Sequence, residues 1–171
     1  MSTIKGYLGE LIVKPKLLEE GLTTISLGNQ SGYDLEYNDI KIDVKLSCLK
    51  NEFKLDNNYW GWALKHQNKK KDIKATHLIC VALTETYDVN AFYVISANNI
   101  NGFPQGIKQF SKVEHGFGVY LSDPSEIKDE DIRLFFDNSM KLLHNNVFVI
   151  KVNETGSLRN AIEQLSLEKN A

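Results

Sequence analysis

From Tyr33 to Leu46 apolar and polar residues alternate in two runs, Tyr33-Asp34-Leu35-Glu36-Tyr37 and Ile40-Lys41-Ile42-Asp43-Val44-Lys45-Leu46, separated by Asn38-Asp39. Period-two alternation interrupted by a two-residue polar turn predicts a β-hairpin. With Asn38 and Asp39 in the turn, Tyr37 pairs with Ile40, Glu36 with Lys41, Leu35 with Ile42, Asp34 with Asp43 and Tyr33 with Val44. One face is then Tyr33, Leu35, Tyr37, Ile40, Ile42 and Val44, which is the core side. The other carries Asp34, Glu36, Lys41, Asp43 and Lys45.

Before the hairpin, Ile4, Leu8, Leu11 and Ile12 fall on one side of a helix, with Glu10 about 120° from the centre of that stripe at 100° per residue. Glu10 is thereby expected to flank the core and reach an adjoining site. Pro15 is expected to end or kink this helix, which resumes to Glu20 before Gly21 stops it. Thr23 to Leu27 reads as a first strand.

After the hairpin, Tyr59, Gly61 and Ala63 alternate with Trp60, Trp62 and Leu64, as in an edge strand packing on the core. His77 to Leu83 is a continuous apolar run, expected at the centre of a sheet covered on both faces, with Ala91 to Ile95 as its neighbour. Asn98 to Gly118 is loop-rich and carries four glycines, either a substrate-facing segment or a plain connection. Asp123-Pro124-Ser125-Glu126 has the cap, first-turn proline and glutamate of a helix start, followed by an apolar stripe of Ile132, Phe135, Phe136 and Leu143. Val147 to Val152 is a further strand, and Ser157 caps a final helix with Leu158, Ala161, Ile162 and Leu165 at helical spacing. No repeat, low-complexity tract or linker interrupts residues 1–171, so the pattern predicts one α/β domain.

At 171 residues and 42% hydrophobic composition the chain can bury a substantial core, and it has no apolar run of membrane-spanning length. Its N-terminus lacks the basic-then-apolar pattern of a secretory signal, so an intracellular, cytoplasmic location is expected. Two cysteines, Cys48 and Cys80, make neither a disulfide framework nor a zinc site, and neither has a paired histidine in sequence. The four histidines, His66, His77, His115 and His144, are dispersed and read as surface or structural residues, with His115 between glycine-rich turns held in reserve. No phosphate-binding glycine loop or nucleophile elbow is present.

Chemistry enters with the hairpin's polar face. Directly opposed side chains sit roughly 5 Å apart at Cβ, and like charges there destabilise by tenths to about 1 kcal/mol, so opposed Asp34 and Asp43 call for a cation. Mg²⁺ takes oxygen ligands at about 2.1 Å and keeps several waters, so two carboxylates and a backbone carbonyl suffice to hold it. Lys45, two residues further along the same face, would contact the attacking water or a phosphate oxygen. A metal, a water and a lysine at one point describe phosphodiester hydrolysis. The plainer alternative is a solvated hairpin face on which Glu36 and Lys41 form an ordinary cross-strand pair.

The formal charge of −2 argues only weakly against a nucleic-acid partner, because its placement matters more. Nine of the eighteen lysines lie between Lys41 and Lys74, whereas Asp123 to Asp137 is acidic. Within the basic part, Tyr59 to Lys71 interleaves aromatics with cations. The tryptophans are assigned to the core, while Lys65, Lys69, Lys70 and Lys71 are expected to contact a nucleic-acid backbone without reading its sequence.

The order of a helix with Glu10, a strand, Gly32-Tyr33-Asp34-Leu35, a turn and Ile42-Asp43-Val44-Lys45 resembles the PD-(D/E)XK nuclease superfamily, closely up to about residue 50. The family's proline is replaced by Tyr33, which removes no ligand. The resemblance implies a restriction-endonuclease-like fold, a mixed β-sheet flanked by helices. It further implies that Asp34 and Asp43 bind Mg²⁺, with Mn²⁺ as a substitute, that Glu10 completes the metal site, and that Lys45 assists the water. With the Val44 carbonyl as a further metal ligand, the expected activity is a Mg²⁺-dependent endonuclease acting on DNA, in a restriction, homing or junction-resolvase role. A homodimer is expected, since double-strand cleavage needs two sites. Two alternatives from other classes are a catalytically idle nuclease-like domain that binds nucleic acid or protein, and an immunity-type partner protein that makes contact through the acidic 123–137 segment.

Overall fold

A computed structural model of the chain describes residues 3–26, 32–51, 58–66, 69–70, 74–101, 107–114, 116–120, 140–143 and 149–168. The helix start expected at Asp123, most of the stripe that follows it, Lys71, His115 and His144 lie outside the described residues. Helix α1 spans Thr3–Glu19 without a break at Pro15. The proline removes one helical hydrogen bond, to the carbonyl of Leu11, and both residues face outward, where water replaces it. The helix ends at Gly21, whose φ of +86° supplies the left-handed turn. There Gly21 N donates to Leu18 O at 3.0 Å and Leu22 N to Leu17 O at 3.0 Å.

The buried face of α1 differs from the expected stripe. Gly9, Val13 and Leu17 are buried and Ile12 partly so, whereas Leu8 and Leu11 are 36% and 56% exposed. The cause is close approach: a Cβ on Gly9 would lie 2.9 Å from Val44 Cγ1, so the helix rests on the sheet where it has no side chain. A glycine adds nothing to a hydrophobic pattern yet decides which side docks.

Five strands build the site and its frame: β1 (Ile25–Ser26), β2 (Leu35–Tyr37), β3 (Ile40–Cys48), β4 (Lys50–Asn51) and β5 (Asn58–Ala63). A small ribbon follows, β6 (Lys65–His66) with β7 (Lys69–Lys70), then β8 (His77–Leu83), β9 (Val89–Ser96) and the short helix α2 (Ala97–Asn101). The chain continues through β10 (Gln109–Val113), β11 (Gly116–Tyr120), β12 (Met140–Leu143), β13 (Val149–Asn153) and α3 (Leu158–Glu168). The first strand thus begins at Ile25, after Thr23 and Thr24, and Leu27 lies outside the described residues.

One sheet of six strands runs β1-β2-β3-β8-β9-β13, and a second of five runs β12-β11-β10-β5-β4. In the first, β3 and β8 are parallel and every other pair is antiparallel. The fold is therefore mixed α/β. All seven residues of β8 are buried, as its unbroken apolar run predicts. Ile79, Val81 and Leu83 join Val13 and Leu17 of α1 and Leu158, Ile162 and Leu165 of α3 in one core. Leu78, Cys80 and Ala82 join Trp62, Phe110 and Val119 of the second sheet in another.

Both tryptophans pack as expected, and their ring nitrogens add two anchors. Trp60 Nε1 donates to Leu83 O at 2.8 Å and Trp62 Nε1 to Val81 O at 3.1 Å. The Trp62 ring lies 6.0 Å from Phe110 and 5.8 Å from Tyr93, contacts typically worth about 0.5–1.5 kcal/mol per pair beyond burial. At the far end of the chain, Ser157 Oγ accepts from Asn160 N at 3.1 Å, the expected cap of α3. Glu20 Oε2 accepts from Leu158 N at 3.1 Å and ties that cap to the end of α1. No helix among the described residues is long and apolar enough to cross a membrane.

Candidate functional site

The hairpin forms in the expected register, with Leu35 opposite Ile42, Glu36 opposite Lys41 and Tyr37 opposite Ile40. Asn38 turns the chain at φ +50°, a conformation asparagine tolerates better than most residues. The ladder stops there. Asp34 does not continue it opposite Asp43: its N–H donates to Ile42 O at 2.8 Å, and its carboxylate Oδ2 accepts from Val44 N at 2.7 Å. A side-chain oxygen replaces a main-chain carbonyl as the acceptor for Val44, which fixes the Asp34 carboxylate against the edge of β3.

Asp43 and Lys45 project from β3 on the side of the second sheet, beside Leu78 and Cys80 of the parallel neighbour. They form an ion pair, Lys45 Nζ to Asp43 Oδ2 at 3.2 Å, and their side chains keep 25% and 18% exposure. Two residues on, the same face is closed: Ser47 is buried and its Oγ accepts from Gly61 N of β5 at 3.1 Å. The second sheet therefore covers β3 as far as Ser47 and leaves Lys45 and Asp43 at its margin.

Glu10 arrives from the opposite layer. Docking at Gly9 sets the next residue of α1 beside the end of the hairpin, where Glu10 and Asp34 reach hydrogen-bonding proximity. Burial pushes the Glu10 carboxyl above its ordinary range, and the contact with Asp34 and the charge of Lys14 pull it back in part. Asp34 is pushed further, up to about 7. Burial is the main cause, the Val44 N–H opposes it, and the neighbouring Asp43 and Glu10 carboxylates add to the rise.

The four residues singled out in sequence thus meet around the middle of β3, where its ladder with β2 stops. Among the described residues no group of three or more His, Cys, Asp or Glu side chains is arranged to hold a metal ion. The donor chemistry nevertheless suits a hard cation: neighbouring carboxylates that repel one another, one of them already raised in proton affinity at Asp34, are those a divalent charge stabilises most. Such an ion would rest on the Asp34 and Asp43 pair, with waters filling its remaining positions.

Elsewhere the expectations divide. Lys65 stands opposite Lys70, and His66 opposite Lys69, in the β6–β7 ribbon, so the lysine-rich stretch is a tiny hairpin rather than a loop. Cys80 is fully buried and burial pushes its thiol up, away from reactivity. His77 is also buried, its Nδ1 2.8 Å from Thr76 Oγ1 and its Nε2 3.3 Å from Ser166 Oγ, a structural role. Sequence reasoning missed the Val44 N–H, since no residue type marks a backbone donor. It also missed the setting of Lys41, whose ammonium lies 5.2 Å from the centre of the Tyr33 ring. Alternation puts Tyr33 on the core side opposite Val44; because the ladder stops at Leu35, its ring instead lies with Lys41 and Glu36 of the polar face.

No protein-family model and no curated protein matches the chain. Among solved structures it is similar to one described as a bacterial homing endonuclease, I-Ssp6803I. The two share 18% sequence identity over 67% of this chain and 80% of that chain, with a TM-score of 0.48. So slight a likeness transfers no residue roles, and the geometry stands by itself.

Proposed function

We propose that the chain is a metal-dependent endonuclease that hydrolyses phosphodiester bonds of DNA, with a PD-(D/E)XK-type site. The observation that carries this reading is the meeting of Glu10, Asp34 and Asp43 with Lys45 around the middle of β3, from three separately placed segments. A solvated hairpin face would leave these carboxylates apart in water. Here one is pinned to a main-chain N–H and half-buried.

Asp34, Asp43 and the Val44 carbonyl would hold Mg²⁺ or Mn²⁺, and Glu10 would complete or order that shell. Once bound, the ion supplies charge that offsets the build-up on the phosphate oxygens and acidifies a water. The chain's own contribution is placement. Val44 N–H holds Asp34 in one rotamer, and Asp43 holds the Lys45 ammonium beside it at 3.2 Å. From there Lys45 orients the attacking water and donates a hydrogen bond to it or to a phosphate oxygen. The second sheet, closing at Ser47, limits water on one side while the other stays open to a strand.

The opposed lysines of the β6–β7 ribbon fit contact with a phosphate backbone. Like charges paired across a ribbon are relieved by an anion. A homodimer is part of the proposal, with the outward side of α1 as its contact, because Tyr7, Leu11 and Leu18 are 64%, 56% and 49% exposed there. The deciding test is cleavage of supercoiled plasmid, linear duplex and a four-way junction with Mg²⁺ or Mn²⁺. Wild type should cut at least one of them, Asp43→Ala none, and Lys45→Ala far more slowly. Cutting that survives both substitutions, or none by wild type, would sink the catalytic assignment. The substrate cut separates restriction or homing roles from junction resolution.

A further inference from the structure

Next to the carboxylates, the structure gathers a second group of residues with no part in the reaction outlined above. Lys41 is bound to Thr76 on both sides of its peptide. Its N–H donates to Thr76 Oγ1 at 3.0 Å, and its carbonyl accepts from Thr76 N at 2.8 Å and from Thr76 Oγ1 at 3.0 Å. Two residues before Thr76 is Lys74, and its methylene arm lies along the backbone of Gly32: a Cβ there would be 2.9 Å from Lys74 Cδ. Gly32 precedes Tyr33, over whose ring the Lys41 ammonium sits at 5.2 Å. Tyr33 Oη donates in turn to Glu36 Oε2 at 3.4 Å, which steadies the ring. Lys41, Lys74 and Tyr33 thus form one patch, and Asp34 is the next residue along the chain.

Charge explains what such a patch is for. Glu10, Asp34 and Asp43 in ionised form, set against Lys45 and a divalent ion, leave no surplus positive charge with which to draw in a polyanion. A DNA strand carries one negative charge every 3.4 Å of axis or so, and the phosphates on either side of the reacting one have to be met by cations outside the carboxylate group. On β3, Lys41 lies on the same face as Asp43 and two residues away, a separation of about 6.7 Å. That step matches the move from one phosphate to its neighbour. Because the ring of Tyr33 and the backbone of Gly32 already hold the two lysine arms, less side-chain freedom is lost when an anion binds.

We infer that Lys41 and Lys74, steadied by Tyr33 and Gly32, clamp the DNA phosphate adjoining the one at the carboxylates. This rests on the nuclease reading for its choice of ligand, but it is tested without cleavage. A fluorescent duplex is titrated with protein in EDTA at several NaCl concentrations, and the slope of log affinity against log salt is measured. Each phosphate neutralised contributes roughly one unit of slope. The double variant Lys41→Ala/Lys74→Ala should lose roughly one unit and bind at least roughly tenfold more weakly at low salt, while Lys151→Ala on β13, at the other edge of the sheet, should match wild type. Lys41→Met/Lys74→Met keeps the arms over Tyr33 and Gly32 and removes only the charge, so it should show the same loss in a protein that melts like wild type.

An unchanged slope in these variants overturns the clamp, and if wild type still cuts DNA the nuclease reading survives it. The expected loss of slope in a protein that cuts nothing supports the clamp as a phosphate site and sinks the nuclease reading. Failure of wild type to bind the duplex overturns the clamp.

Discussion

Two stretches of β3 treat the same face differently. At its C-terminal half Ser47 is buried and its hydroxyl is matched to Gly61 N–H, beneath a second sheet anchored by Trp60 and Trp62. Around its midpoint Asp43 and Lys45 stay partly open, and Asp34 and Glu10 crowd in beside Asp43. The stretch at Ser47 pairs its hydroxyl and covers it. The other accumulates like charges that an apolar lid would make intolerable, since an ionised carboxylate loses several kcal/mol of hydration on burial. The second sheet stops where the cost of covering changes sign, and that margin is where a ligand can enter.

Substitutions on either side sharpen this contrast. The largest effect belongs to the open stretch: Asp43→Ala should abolish metal-dependent cleavage, and Lys45→Ala should slow it by about 10²- to 10⁴-fold, the range of a positioned proton-transfer group, while both variants melt near the wild-type temperature. On the closed side, Trp62→Ala removes a fully buried ring and should lower unfolding free energy in urea by about 3–5 kcal/mol. Ser47→Ala leaves the Gly61 N–H without its acceptor, for a loss of about 1–3 kcal/mol by the same measurement. A Ser47→Ala protein as stable as wild type would mean that the two sheets are held by the aromatic layer alone.

A further effect has a definite sign in pH. Asp34 in the folded, metal-free protein is raised from 3.8 to about 7, so the native state binds a proton that the unfolded chain has released. Stability from this group is fully present below about pH 4 and is lost as pH rises toward 7. Asp34→Asn keeps an oxygen for Val44 N–H and removes the titration. Its melting temperature should therefore gain on wild type as pH rises from 4 to 7, a difference that shrinks in wild type loaded with Mg²⁺. A constant difference across that range would remove burial and carboxylate crowding as the cause.

Much of this was legible in the chain. Alternation fixed the register of the hairpin, because a slip of one residue would have turned Leu35 and Ile42 outward, and an unbroken apolar run marked β8 as the buried centre. The cap at Ser157 and the stripe from Leu158 to Leu165 were equally plain. The side of α1 that docks was not, since hydrophobic counting favours Leu8 and Leu11 while a contact made by the absence of a side chain at Gly9 decides the matter. Pairing rules also set Asp34 opposite Asp43, and they contain no allowance for a carboxylate that takes over a main-chain hydrogen bond. The site residues were therefore readable as a set, but their mutual arrangement was not.

That substitution of acceptor makes one amide a reporter. Along β8 the backbone is sealed between two strands and two cores, and its protons exchange with solvent only when the whole sheet opens. Val44 N–H has the same sheet around it but a titrating partner. Its amide resonance and exchange rate should follow the ionisation of Asp34, and would report from within the backbone any cation that this carboxylate takes up.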